Sequence, residues 1–180
     1  MKTASAVLGL LLVSVITGCG GGGGSSDEVF VVPYNPPSLE AFHVVDSLGV
    51  SSEDFIDPFL VLNPYIDGGQ FEIYWDVLNE YDYSVELRIN DVPFIEGSRF
   101  VSSDYCGIGL DCDLSGIQFC EYYADFSMSC DPPGTSNPNQ TVVRFDDMIS
   151  TVPQDMYLIL DICDTESDYC EYRVQEVSLE

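Results

Sequence analysis

Basic residues are scarce in this sequence. Its 180 residues include five Lys and Arg against 31 Asp and Glu, a formal net charge of −26 at pH 7. Nucleic-acid binding is thereby excluded, because it requires Lys or Arg to neutralise phosphates. The same repulsion disfavours unassisted adhesion to anionic lipid. The acidic residues are suited to binding divalent cations, to facing a cationic partner, or simply to holding water, which is the simplest explanation.

Histidine is scarce as well, and long apolar runs and closely paired cysteines are missing. The one histidine, His43, lies in a strand-like stretch and is interpreted as a strand residue rather than a general base. The apolar run Ala6–Ile16 is shorter than the ~20 residues that a membrane-spanning helix needs. No C-x-x-C pair is present, so a zinc site that uses Cys163 and Cys170 is not favoured. A hydrophobic share of 46% excludes disorder despite the charge.

The N-terminus has the pattern of a secretory signal. Met1 and Lys2 precede the apolar run, and small residues precede a cysteine in Ile16-Thr17-Gly18-Cys19. This motif resembles a bacterial lipobox. The resemblance implies that residues 1–18 are a signal peptide and that Cys19 carries lipid, and a Gly/Ser tether then extends to residue 28.

The lipobox resemblance also implies a location. In proteins of this type an Asp after the cysteine favours retention at the inner membrane, and here that residue is Gly20. We therefore expect the outer membrane, with the facing left open. Residues 29–180 are expected to form a single domain. Once residues 1–18 are removed, four arginines face the same 31 acidic residues, a formal charge of −27.

Six cysteines remain besides Cys19. An even number in an exported chain predicts three disulfides, with 15 possible connectivities. Met156–Cys163 and Cys170–Val177 predict a hairpin in which Cys163 lies opposite Cys170, within disulfide range. The same register places Asp161 opposite Tyr172 and Ile159 opposite Val174. The other four are expected to pair among themselves, with three pairings open: Cys106, Cys112, Cys120 and Cys130.

Alternation of apolar and polar residues predicts β-strands with one buried face. It is clearest over residues 70–77 and 83–90, which predict two strands of an antiparallel hairpin. A weaker strand is predicted over 94–101, and a long one over 120–130, where alternate residues are apolar or cysteine. With strands near 38–45 and 141–145 and the C-terminal hairpin, at least seven strands and hardly any helix predict an antiparallel sandwich.

Two motifs resemble fibronectin type III and other immunoglobulin-like domains. Trp75 followed by Tyr83–Leu87 is similar to their second and third strands, and Pro153 four residues before Tyr157 is similar to their tyrosine corner. The resemblance implies an immunoglobulin-like sandwich of about seven strands, interrupted by a cysteine-rich insertion at 102–140. It also implies that Tyr157 bonds back to the preceding connection.

Two sets of residues are candidates for ligand binding. An acidic set around the last hairpin turn is a candidate calcium site: Asp161, Asp164, Glu166 and Asp168. Tyr123 and Tyr169 are candidates for stacking on sugars. Paired carboxylates of the glycosidase kind carry little weight, because 31 acidic residues always supply such a pair.

These observations predict a non-catalytic binding or interaction module of the cell envelope. It is held on the membrane by lipid, with no resident cofactor and a protein or glycan partner that the sequence leaves open. The alternative is a calcium-dependent or carbohydrate-binding accessory module, and a glycosidase-type enzyme ranks below both.

Overall fold

The structure is a computed structural model, and it describes residues 34–52, 60–78, 82–110, 112–131 and 141–180. Within these ranges the chain forms ten strands and two 3-10 turns, η1 (Asp67–Gly69) and η2 (Asp146–Met148). The strands are β1 (Ser38–Asp46), β2 (Leu60–Leu62), β3 (Gln70–Leu78), β4 (Tyr83–Asn90), β5 (Arg99–Cys106), β6 (Ser115–Tyr123), β7 (Ser127–Asp131), β8 (Val143–Arg144), β9 (Gln154–Asp164) and β10 (Cys170–Leu179).

The strands form two five-stranded sheets. The first sheet has the order β1-β3-β6-β7-β8, and the second has the order β2-β10-β9-β4-β5. All neighbouring strands are antiparallel except β2 and β10, which run parallel. The expected all-β sandwich is confirmed. The short strands β2 and β8 and the division of one predicted strand into β6 and β7 bring the number above the seven expected.

The core lies between the two sheets and is built by strict alternation along the strands. In β3 the inward residues Phe71, Ile73, Trp75 and Val77 are buried, and in β4 so are Tyr83, Val85, Leu87 and Ile89. Side chains two residues apart point to the same face of a sheet. Each strand therefore contributes one apolar row to a single contiguous core.

The predicted hairpin of β3 with β4 is wrong. β3 pairs with β1 and β6 in the first sheet, whereas β4 pairs with β5 and β9 in the second. Both strands have an apolar face, and these faces meet across the core instead of lying side by side. A period of two identifies a buried face but not the neighbour with which a strand shares hydrogen bonds.

The predicted long strand over 120–130 is also wrong, because the chain reverses within it. β6 ends at Tyr123 and β7 begins at Ser127, and Phe126 has a φ of 57° in the turn between them. Even-numbered residues face inward in both β6 and β7, before and after the turn. Cys120, Tyr122 and Met128 are therefore all buried. Cys120 lies directly opposite Cys130.

The strand predicted over 94–101 begins later, at Arg99. The Asn90 side chain donates hydrogen bonds from Nδ2 to the carbonyls of Phe94 and Glu96, at 2.7 and 3.1 Å. These bonds hold the chain after β4 in a loop, so strand pairing begins only beyond it. Asn90 is itself buried, and the two backbone acceptors satisfy its amide group.

Tyr157 does not bond back to the preceding connection. It lies directly opposite Glu176 on β10, and partial burial together with the carboxylates of Glu176 and Asp155 raises the pKa of its phenol. Because Met156 and Leu158 are the inward-facing neighbours, Tyr157 occupies the outer face of the second sheet.

Candidate functional site

Three disulfides hold the sandwich and remove free thiols from the described residues. Cys163 is bonded to Cys170, and its neighbours pair as predicted, with Asp161 opposite Tyr172 and Ile159 opposite Val174. The hairpin prediction is therefore confirmed. The pairings left open are Cys106–Cys112 and Cys120–Cys130. Cys19, the predicted lipid attachment site, lies outside the described residues.

The four candidate calcium ligands do not converge. Asp161 lies on the outer face of β9, whereas Asp164, three residues on, faces inward and is only 5% exposed. Glu166 and Asp168 lie exposed in the turn beyond it. Across the ranges that the structure covers, no group of three or more His, Cys, Asp or Glu residues is arranged to hold a metal ion.

Asp164 has a structural role in the turn. It accepts a hydrogen bond from the Tyr34 hydroxyl. Burial acts to raise the pKa of Asp164, but hydrogen bonds from Ser167, Tyr34 and the backbone at 166–167 outweigh it and the pKa is lowered. The same hydrogen bond, partial burial and the carboxylate charge raise the pKa of Tyr34 to about 12. Asp164 therefore stabilises the β9–β10 turn as an ionised acceptor.

The two candidate sugar-stacking tyrosines lie in different sheets. Tyr123 ends β6 in the first sheet, and its hydroxyl donates to Glu121 Oε2 at 2.5 Å and lies 3.0 Å from Ser129 Oγ. Tyr169 lies partly exposed in the β9–β10 turn of the second sheet. The two tyrosines therefore have different neighbours and belong to different sheets.

The outer face of the first sheet carries a row of aromatic rings beside carboxylates. His43 stacks on Tyr74 with ring centroids 5.0 Å apart, and the Tyr74 hydroxyl is hydrogen-bonded to Glu72. Phe119 lies opposite Glu72 and is partly exposed. A groove of about 310 Å³ opens beside His43 and Tyr74. The sequence does not predict the exposure of Phe119, because both faces of β6 carry apolar residues and its cysteine indicates only the inward face.

The outer face of the second sheet is apolar at its centre. Ile159 points outward from β9 and is nevertheless fully buried, with Arg88 of β4 and Val174 of β10 on either side. The same outer face carries three aromatic residues with considerable exposure: Phe100 (39%), Tyr105 (50%) and Tyr172 (41%). Exposed aromatic residues around a covered aliphatic centre are typical of interaction surfaces.

Two carboxylates lie within this outer face. Glu86 is directly opposite Asp161, and Arg88 binds Glu86 Oε2 through Nε at 3.1 Å and Nη2 at 2.6 Å. Burial and the charge of Glu86 raise the pKa of Asp161, while Arg88 acts in the opposite direction. Asp161 Oδ2 lies 3.9 Å from Cys163 Sγ, a disulfide sulfur without a proton to donate. Arg88 is therefore hydrogen-bonded to Glu86, while its charge alone acts on Asp161.

Comparison with known proteins gives no relative from which to transfer a role. No family model matches the chain, and neither a curated protein nor a solved structure matches it. Among the described residues, the helical segments are single 3-10 turns, and none is long and apolar enough to cross a membrane. The residues of this chain and their arrangement in the sandwich are therefore the basis for inferring its role.

Proposed function

We propose that this chain is an exported, outer-membrane lipoprotein that displays a non-catalytic binding module of the cell envelope. The observation that carries the proposal is the combination of Ile16-Thr17-Gly18-Cys19 and its Gly/Ser tether with a domain whose six cysteines are all oxidised. Disulfides of this density are characteristic of exported domains. More than one acyl chain on Cys19 holds a soluble domain on a membrane stably.

A binding role is supported by what the domain presents to solvent. Both outer sheet faces carry exposed aromatic side chains, Phe119 on the first and Phe100, Tyr105 and Tyr172 on the second. Among the described residues His43 stacks on Tyr74, and all six cysteines form disulfides, so none of them offers a free thiol. The strand order β10-β9-β4-β5 agrees with the G-F-C order of immunoglobulin-like sandwiches.

The anchor is tested by expressing the full chain and its Cys19→Ser variant in a Gram-negative host with radiolabelled palmitate. We expect the unmodified chain to incorporate label and to sediment with outer-membrane fractions. The Cys19→Ser variant should remain unlabelled and be released in soluble form. Equal membrane association of both chains would contradict lipid anchoring at Cys19.

Carbohydrate binding is a second candidate function, and the outer face of the first sheet favours it. Sugars stack on aromatic rings and donate hydroxyl hydrogen bonds to carboxylates, and Tyr74, Phe119 and Tyr123 lie there beside Glu72 and Glu121. Affinity electrophoresis in gels that contain purified peptidoglycan glycan strands tests it. Retardation should be lost in Tyr123→Ala and Phe119→Ala and preserved in Tyr169→Ala, which changes a tyrosine in the other sheet. Equal retardation of all three variants would contradict it.

A further inference from the structure

Asp161 is an unusual residue for its position in β9. The strand is apolar on both faces from Met156 to Ile162 except for Tyr157 and Asp161, and Asp is depleted in strands because it suits neither packing nor pairing there. Its carboxylate is partly buried and lies opposite a second carboxylate, Glu86, an arrangement that destabilises a sheet. A residue that breaks a local folding rule without a compensating contact is a candidate for function.

The charges on this face are incompletely compensated. Arg88 gives its hydrogen bonds to Glu86, and within the described ranges no side chain donates a hydrogen bond to Asp161. The residues that face Asp161 from neighbouring strands are Glu86 and Arg88 on β4 and Tyr172 on β10. Glu86, Arg88 and Asp161 together carry a net charge of −1, and among the described residues no second Lys or Arg lies opposite Asp161.

The surroundings of this uncompensated charge are apolar and aromatic. Tyr172 lies directly opposite Asp161, and Ile159 and Val174 form the adjacent row of the sheet, with Phe100 opposite Arg88. Aromatic faces attract Lys and Arg side chains, and apolar rings around a charge exclude water and strengthen its attraction for an opposite charge. The face therefore combines the two elements of an interface centre: an apolar surface and a charge that lacks its counterpart.

We propose that the outer face of the second sheet is the binding surface of this module, and that it receives a Lys or Arg side chain of an envelope protein segment between Asp161 and Tyr172. Apolar residues that flank the cation pack on Ile159, Val174 and Phe100. The partner is basic because the mature chain carries a formal charge of −27, which steers basic segments toward it. This inference rests on the proposed binding function and specifies its face and partner.

Site-specific photo-crosslinking of the full lipidated chain in intact cells tests the proposal. p-Benzoylphenylalanine is introduced in place of Tyr172 in one chain and in place of Phe119, on the outer face of the first sheet, in another. The crosslinked peptides are then sequenced by mass spectrometry. Asp161→Asn is combined with the crosslinker, and Asp155→Asn is the matched control, because Asp155 lies on the same strand and outer face but opposite Ser178.

We expect position 172 to form an adduct with a protein segment that carries Lys or Arg beside apolar residues. Its yield should fall about tenfold or more in Asp161→Asn and remain unchanged in Asp155→Asn. An adduct with a glycan, an adduct with a segment that lacks a basic residue, or a yield insensitive to Asp161→Asn would overturn the proposal. An adduct from position 119 alone would overturn it while leaving the binding function intact. Adducts from neither position would overturn both.

Discussion

Glu86 and Asp161 lie directly opposite each other on β4 and β9, and Arg88 donates hydrogen bonds to Glu86 but acts on Asp161 only through its charge. Asp161 receives no hydrogen bond from Arg88, so its ionised form is disfavoured in the folded protein. Burial and the charge of Glu86 both raise the pKa of Asp161 above 3.8. The pair therefore weakens the sheet that it occupies at neutral pH, and it does so at the centre of an outer face with three exposed aromatic residues.

Asp161→Asn is expected to stabilise the protein at pH 7 by up to about 1 kcal/mol, since it removes a like-charge pair on adjacent strands. A carboxyl whose pKa is raised in the folded state binds its proton more tightly there, so the unmodified chain gains stability as pH falls. The advantage of the variant should therefore disappear below about pH 4. Urea unfolding of the unmodified chain and of Asp161→Asn, at pH 7 and below about pH 4, measures this difference in the free energy of unfolding. Asp155→Asn should change stability by less than about 0.5 kcal/mol at either pH.

Asp164→Asn is expected to have the opposite effect. Hydrogen bonds from Ser167 and Tyr34 hold the pKa of Asp164 below its usual value, so its stabilising contribution is present above pH 3.8 and is lost as pH falls through the lowered value. The variant should lose about 1 to 3 kcal/mol at pH 7, as expected for a buried acceptor that loses its charge. The loss should shrink as pH falls below 3.8 and the carboxyl of Asp164 becomes protonated. Asp168→Asn, an exposed change in the same turn, is the control, and an equal loss there would contradict the role of Asp164.

The disulfide pattern is expected to be entirely local. Mass spectrometry of a non-reduced digest should give the crosslinks Cys106–Cys112, Cys120–Cys130 and Cys163–Cys170. Replacing both Cys120 and Cys130 by Ala should reduce the free energy of unfolding by about 2 to 3 kcal/mol in the chain-entropy model, because their loop is short. The paired replacement at 163 and 170 should cost a similar amount. A crosslink between any two of these three pairs would contradict the structure.

The C-terminal hairpin was predictable because its information is local. Two strand-like segments separated by a short turn fix their own register, so the pairing of Cys163 with Cys170 and of Asp161 with Tyr172 could be derived from the sequence. β3 and β4 are also adjacent in the chain, and each has one apolar face. This pattern does not indicate whether the two strands share hydrogen bonds in one sheet or pack face to face from two sheets. Here they pack across the core.

The sequence does not predict the chain reversal between β6 and β7 or the environment of Asp161. The turn Ala124-Asp125-Phe126 contains neither Gly nor Pro, and the positive φ of Phe126 breaks the usual preference of aromatic residues. From the sequence, Asp161 is only an acidic residue near a turn, which predicts a calcium ligand. Its opposition to Glu86 depends on which strand lies beside β9, and that is a property of the topology, not of either segment.

The contact between Trp75 and Gly116 offers a direct test of the packing of the first sheet. The two residues are opposite each other on β3 and β6, and a Cβ at position 116 would lie 2.0 Å from Cζ2 of the indole. The indole cannot move away easily, because it is only 1% exposed and is packed in the core between the two sheets.

Gly116→Ala is therefore expected to reduce the free energy of unfolding by about 1 to 3 kcal/mol, the usual cost of overpacking a core. Ser115→Ala, an exposed neighbour on the same strand, should change it by less than about 0.5 kcal/mol. In a Trp75→Phe background the smaller ring leaves room for the methyl group, so the cost of Gly116→Ala should fall by about 1 kcal/mol or more. Denaturant unfolding followed by circular dichroism measures the unmodified chain, the three single variants and the double variant. Equal costs in the two backgrounds would show that the indole does not cover Gly116.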